Sequence, residues 1–290
     1  MIPEPFKYHV PKTLEEAAEM IAQFGDEGKV LAGGHSLVPM MKLRLASPKH
    51  LVDIARLDGL RYINEKDAHI EIGALTTHYR IESSSLLKEK CPLLPETARE
   101  IGDVQVRNKG TMGGSLVHAD PAGDWPAAAV ALEAELKAVS TEGERWIPAS
   151  EFFIDLMTTK LNPGEIVTAI RFPILPARSG DAYSKHHHPA SGFAVVGVAA
   201  RVTLNEKGAV ESARVGITGI AAAAYRATAT ENAIVGKPPT ARNLQQAASH
   251  AAEGIEANGD LYASAEYRVH LATVYAERAL AMAAERAAGN

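Results

Sequence analysis

Apolar residues near the start of the chain recur at helical spacing and then give way, within a few positions, to strand-like runs. Across residues 13–24, Leu14, Ala17, Ala18, Ile21 and Ala22 share one face at the 3.6-residue period of a helix packed on one side. Thr13 fits as the N-cap and Glu16 as its capping-box partner, and Gly25 ends the pattern. Residues 29–31 read as a short strand running into Ala32-Gly33-Gly34-His35-Ser36. Residues 50–54 and 70–73 also have strand character, while 86–101 carry a second helical pattern interrupted by Pro92 and Pro95. Residues 127–132 predict a small-residue helix, 135–139 a strand, 141–144 a hairpin turn and 166–172 a further strand.

The texture changes after the turn-rich stretch 173–180, which predicts a division into domains 1–176 and 177–290. Beyond it, 193–204 and 210–217 are β-rich around the turn 205–208, the pattern of a hairpin. From Thr240 onward the chain is Ala-rich and helical, in at least two segments divided around 254–259 and Ser264. Strands followed by helices point to an α+β fold.

Composition narrows the function classes. The 290 residues are 46% hydrophobic and 22% charged with a net charge of -5, which excludes intrinsic disorder. A mildly acidic chain has no electrostatic footprint for nucleic acid. No apolar run approaches a transmembrane span, and the first twelve residues lack the apolar core of a secretory signal. A cytoplasmic protein is therefore expected. The single cysteine, Cys91, excludes an internal disulfide framework and any multi-cysteine iron–sulfur site on this chain. Followed by a proline in a helical region, it reads as a buried structural residue.

Candidate chemistry lies in two glycine pairs. Gly33-Gly34 after a strand can bring backbone N–H groups close to an anion, with His35 and then the Ser36 hydroxyl beside them. A plain tight turn is the competing reading. The pattern matches neither the G-x-G-x-x-G dinucleotide fingerprint nor a P-loop. Thr111-Met112-Gly113-Gly114-Ser115 repeats the chemistry, again after a supposed strand. Two such loops suit a pyrophosphate, whose charge is spread over several oxygens. Asp124, within Asp120-Pro-Ala-Gly-Asp124, either caps the following helix or accepts hydrogen bonds from a sugar or ribityl chain.

The segments AGGHSLVPMMKLR (32–44), GDVQVRNKGTMGGS (102–115) and DPAGDWPA (120–127) resemble the FAD-binding medium subunits of the molybdenum hydroxylases. Those of the aerobic carbon monoxide dehydrogenase type, within the wider xanthine dehydrogenase family, are the nearest match. The resemblance runs from residue 6 to residue 268. It implies a two-subdomain FAD domain of the vanillyl-alcohol-oxidase (PCMH) type, then a C-terminal domain of antiparallel strands and helices. Position by position, it implies that Ala32, Gly33, Gly34, His35 and Ser36, with Thr111, Met112, Gly113, Gly114 and Ser115, form the pyrophosphate loops. Lys29, Val30 and Leu31 match the strand before the first loop. Ile101 matches an apolar contact to the flavin nucleotide, Asp124 the acid of the sugar–ribityl region, and Leu161 a backbone approach to the adenine end. Lys185 matches a lysine reaching FAD from the C-terminal domain. Phe193 stands where relatives carry an aromatic, often tyrosine, over the isoalloxazine ring; a core position in an apolar strand is the alternative.

The resemblance further implies a large molybdenum-cofactor subunit and a small subunit with two 2Fe–2S clusters, assembled as a dimer of heterotrimers. FAD is expected to be non-covalent despite His35. His186-His187-His188 depart from the family's basic run; on an extended chain they alternate faces and suit a surface strip better than a shared metal. Arg107 and Asn108 either orient the second loop, contact the iron–sulfur subunit or lie in a solvated turn. Two other readings remain: a self-contained flavin oxidase or dehydrogenase of the same fold, and a non-catalytic nucleotide-binding or assembly module.

Overall fold

A computed structural model, describing residues 2–289, arranges the chain as three main sheets in sequence order. β1 (Lys7–His9), β2 (Gly28–Leu31) and β3 (His50–Asp53) pair in parallel in the order β1-β3-β2. The crossover α1 (Leu14–Phe24) buries Ala17, Ala18 and Ile21, whereas Ala22, expected on the same face, is exposed. Thr13 Oγ1 accepts from the Glu16 N–H at 3.1 Å, and the Glu16 carboxylate reaches back one residue further than a capping box, to the Lys12 N–H. Gly25, at φ 51°, ends the helix. The short α2 (Leu37–Lys42) follows β2.

The second sheet is antiparallel. It contains β4 (Ile63–Lys66), β5 (His69–Gly73), β6 (Glu135–Ser140) and β7 (Gly143–Pro148). After the small pair β8 (Phe153–Asp155) and β9 (Thr158–Thr159), β10 (Ile166–Pro173) enters its centre, giving the order β4-β5-β10-β6-β7. Six helices intervene between β5 and β6. They are α3 (His78–Ser83), α4 (Ser85–Lys90), α5 (Leu93–Arg99), α6 (Val104–Lys109), α7 (Met112–His118) and α8 (Asp124–Ala131); α9 (Ala149–Phe152) follows β7. The predicted helical run at 86–101 breaks at Pro92 only. Pro95 sits in the first turn of α5, where an N–H has no intrahelical acceptor to lose.

Past residues 174–178 comes the third sheet, antiparallel and in chain order. It comprises β11 (Ser179–His187), β12 (Ala194–Leu204), β13 (Val210–Thr218) and β14 (Tyr225–Arg226). The expected hairpin is β12–β13. The helices α10 (Thr228–Ile234), α11 (Ala241–Ala248) and α12 (Ala265–Gly289) complete the chain. β12 reads AVVGVAARVTL without alternation because both its faces are covered, by α12 on one side and α8 on the other. Glycines permit that approach: a Cβ on Gly180 would stand 2.3 Å from the Ala283 carbonyl oxygen of α12, and one on Gly216 would stand 2.2 Å from that of Ala127 in α8. Among the described residues, no helix is long and apolar enough to cross a membrane.

Gly216→Ala therefore forces α8 away from the third sheet. A loss of about 1–3 kcal/mol in denaturant-unfolding stability is expected, and an unchanged midpoint would show that this contact is not tight.

Candidate functional site

The first glycine segment leaves the C-terminal end of β2 and turns at Gly34, whose φ is 75°. Such a turn directs successive N–H groups into one concavity. Those of Gly33, Gly34, His35 and Ser36 meet no acceptor among the described residues, and the Ser36 hydroxyl makes no capping bond. The His35 ring folds back, its Nδ1 lying 3.1 Å from the Gly33 carbonyl oxygen. Gly33 has no room for a side chain: a Cβ there would stand 2.3 Å from the Lys109 carbonyl oxygen and 2.9 Å from Gly110 Cα. The first segment thus presses directly on the approach to the second.

The second segment differs from expectation, because it is the start of a helix and not a loop after a strand. Thr111 is the N-cap of α7, and its Oγ1 accepts from the Gly114 N–H at 3.2 Å. The Met112 N–H donates to the Thr76 carbonyl, that of Gly113 to Ala74 and that of Ser115 to Thr111. The Met112 side chain lies in the core, and Ala74 blocks the side-chain direction of Gly113 at 2.5 Å. Gly114 faces outward opposite Ala32: a Cβ on it would stand 2.8 Å from the capping Thr111 Oγ1 and 3.7 Å from the Ala32 methyl. One wall of the groove therefore offers free main-chain donors, and the other offers a helix turn stripped of side chains. That combination fits a diphosphate held by the first wall and passing close over Gly114. Lys29 is exposed on β2, while Val30 and Leu31 are half-buried beneath the first segment.

Asp124 and Lys185 meet each other. Asp124 opens α8 with Gly123 in the cap position, so the capping reading falls away. Its carboxylate is 5% exposed and accepts from the Tyr183 hydroxyl at 2.6 Å and from Lys185 Nζ at 2.9 Å. Lys185 Nζ also donates to the Glu100 carbonyl at 2.9 Å, and its side chain is sealed from solvent. Burial pushes the Asp124 carboxyl above its usual range, while the Lys185 charge and the Tyr183 hydroxyl pull the other way.

Strand alternation explains the cluster. Asp181, Tyr183 and Lys185 share the face of β11 turned toward α5 and α8. Asp181 accepts from the Leu93 N–H at 3.0 Å, at the start of α5, while Lys185 holds the Glu100 carbonyl at its end. Anion at the N-terminus and cation at the C-terminus is the order that a helix dipole favours. Tyr183, a central member, was not among the residues expected from the sequence.

A second buried residue unannounced by the sequence is His78, 3% exposed behind the glycine segments. The Trp125 indole Nε1–H donates to His78 Nδ1 at 3.0 Å, which places the imidazole proton on Nε2. Burial, aided by nearby His35 and Arg107, pushes His78 down to about 3, so the ring stays neutral.

The remaining candidates fall around this frame. Ile101 is half-buried against the second-sheet core, and Arg107 Nη1 ties its carbonyl at 3.2 Å while Arg107 Nε pairs with Glu82 at 2.8 Å. Arg107 therefore orients the segment before the groove and is no solvated turn residue. Phe193 is 45% exposed, so the core alternative fails; its neighbour Gly192 lies against Gly102. Leu161 packs half-buried against the same core as Ile101. The three histidines part company, as alternation requires: His186 approaches the Tyr275 hydroxyl at 3.3 Å, His187 meets Glu100 at 2.5 Å and His188 packs on Tyr262. Among the described residues no group of His, Cys, Asp and Glu is placed to hold a metal. Cys91 is buried, its Sγ 3.6 Å from Asp181.

Residues 4–175 match the family model for the FAD binding domain in molybdopterin dehydrogenase, and residues 181–283 match that for the CO dehydrogenase flavoprotein C-terminal domain. The fold and groove thus define an FAD-binding oxidoreductase component with a PCMH-type domain and its C-terminal companion. The chain is 39% identical over 289 residues to the carbon monoxide dehydrogenase medium chain of Hydrogenophaga pseudoflava, covering 99% of this chain and 100% of that one. It is 37% identical over 287 residues to subunit alpha of the 6-hydroxypseudooxynicotine dehydrogenase complex of Paenarthrobacter nicotinovorans, covering 99% and 97%. The solved structure of the Hydrogenophaga pseudoflava carbon monoxide dehydrogenase lacking the Mo-pyranopterin moiety aligns with a TM-score of 0.95 at 40% identity, over 99% of each chain. This chain belongs to the FAD-binding medium subunits of the molybdenum hydroxylases.

Lys185→Met leaves Asp124 without its cation in a place closed to water. It should cost about 3–5 kcal/mol of unfolding stability, most of it recovered when Asp124→Asn is added; equal losses in both variants would mean that the pair contributes nothing specific. His78 gives a pH signature. Its folded value lies below its unfolded value of about 6.5, so its stabilising contribution is complete above that pH and is lost as pH falls toward 3. Between pH 6 and 4 the wild type should lose about 1.4 kcal/mol per pH unit more than His78→Gln; parallel acid limbs would place a proton on the folded-state ring.

Proposed function

We propose that this chain carries one non-covalent FAD and acts as the electron exit of a molybdenum hydroxylase. The observation that supports this most is the pairing of acceptor-free N–H groups at Gly33, Gly34, His35 and Ser36 with the bare Gly114 wall across the groove. In the reading, the Ala32–Ser36 and Thr111–Ser115 segments hold the pyrophosphate. Ile101 and Phe193 lie toward the flavin, and Leu161 toward the adenine end. Asp124 and Lys185 act from behind, fixing Glu100 and hence Ile101 through the bond to the Glu100 carbonyl.

Bound FAD would supply the exchange between one-electron and two-electron transfer. Electrons would arrive from 2Fe–2S clusters on a small subunit, fed by the molybdenum cofactor of a large one, in a cytoplasmic dimer of heterotrimers. A chain with one buried cysteine has no ligand set for those clusters itself. The division into 1–176 and 177–290 belongs to the same reading, with β11 carrying the second part's hold on the first. Substrate choice rests elsewhere: relatives at 39% and 37% identity are named for carbon monoxide and for 6-hydroxypseudooxynicotine. Substrate identity and the final acceptor therefore belong to the partner chains and to the assembled complex. A self-contained oxidase would require an acid or base over the flavin, and the buried titratable groups near the groove are engaged with each other or held neutral.

Gly114→Val should abolish FAD retention, because its side chain would crowd the Thr111 cap and enter the groove opposite Ala32. FAD per chain measured beside the unfolding midpoint tests this, and unchanged flavin content in a folded variant would refute the seat. Substrate that bleaches the flavin of the isolated chain would favour the self-contained oxidase instead.

A further inference from the structure

The two walls of the groove are unequal in donors, and His78 stands where the poorer wall lacks one. The N–H groups of Met112, Gly113, Gly114 and Ser115 are all engaged within the protein. Phosphate oxygens on that side must be met by side chains. A Cβ on Gly110 would stand 2.6 Å from His78 Nε2, and Gly110 Cα is itself what a Cβ on Gly33 would strike at 2.9 Å. His78 Nε2 thus lies at the seam where the two glycine segments touch. Among the described residues it has no hydrogen-bond partner. Among the described residues, the side-chain polar atoms both sealed from solvent and unpartnered are Arg201 Nε, Thr230 Oγ1 and Arg268 Nε. His78 Nε2 is not one of them, so the 3% of this residue that reaches solvent includes that atom.

We propose that His78 is a binding residue of the nucleotide groove, whose Nε2–H, fixed in that tautomer by Trp125, donates to a diphosphate oxygen at the junction of the two glycine segments. The inference rests on the FAD reading and adds a residue to it. A neutral imidazole gives a directed hydrogen bond with no charge to desolvate, and an indole on Nδ1 leaves the ring one proton arrangement. Trp125 is the second residue of α8, directly after Asp124, so the helix that grips β11 also sets the ring that lies against Gly110 at the seam.

The test uses the full chain with FAD as the probe. His78→Gln keeps an N–H near the Nε2 position, and His78→Leu removes it at similar bulk. His78→Leu should weaken FAD binding at least tenfold, while His78→Gln should stay within about threefold of wild type. In the ¹⁵N-labelled wild type, the His78 Nε2–H resonance should move downfield when FAD is added. Wild-type affinity in His78→Leu, equal weakening in both variants, or an unmoved resonance in a chain that has bound FAD would overturn the proposal. A wild-type chain that takes up no FAD while Gly114→Val behaves identically would overturn the flavoprotein reading first, and this inference with it.

Discussion

The pairing of Lys185 with Asp124 takes place almost without water, and much of the molecule is arranged around it. An ammonium and a carboxylate in such a place are tolerable only when each remaining hydrogen-bond site is met. Tyr183 and the Glu100 carbonyl meet them. Because Asp124 opens α8, Glu100 closes α5 and Lys185 belongs to β11, three elements from distant parts of the sequence are locked by two charges. Asp181 repeats the hold at the other end of α5. The segment released from that clamp, beginning at Ile101, leads through α6 into the glycine seam. The Asp124–Lys185 clamp therefore holds the point from which the chain runs toward the second glycine segment.

That wall and the first obey different physics. The first segment is a strand end followed by a left-handed glycine, which leaves main-chain donors exposed. The second is a capped helix turn whose donors are used internally and whose glycines serve approach: Gly113 toward Ala74, Gly114 toward the groove. Gly33 and Gly110 are pressed so closely together that a Cβ on Gly33 would stand 2.9 Å from Gly110 Cα. In the proposed reading, a sided groove of this kind holds a long cofactor at its diphosphate, with the aromatic end toward the exposed Phe193.

Much of this was legible before the structure. Most of the α1 face, the β12–β13 hairpin and the glycine segments follow from spacing and residue type, because their signals are local: a helical period, two apolar runs around a short turn, and paired glycines. β11 was invisible, since its inward face carries Asp181, Tyr183 and Lys185 and so shows no apolar alternation. The helical start of α7 was hidden because Gly-Gly suggests a loop, although Thr111 carries the N-cap signal that decides the matter. Asp124 and Lys185 were both singled out, yet only the fold shows that they meet each other. His78 and Trp125 could not be paired from sequence, because 47 residues separate them and neither belongs to a local motif.

The most direct measurement is the flavin released by acid from the purified chain in its assembled complex, counted per polypeptide. One FAD per chain, fully released, is the expected result. No flavin, or flavin that stays attached to the polypeptide at His35, would contradict it.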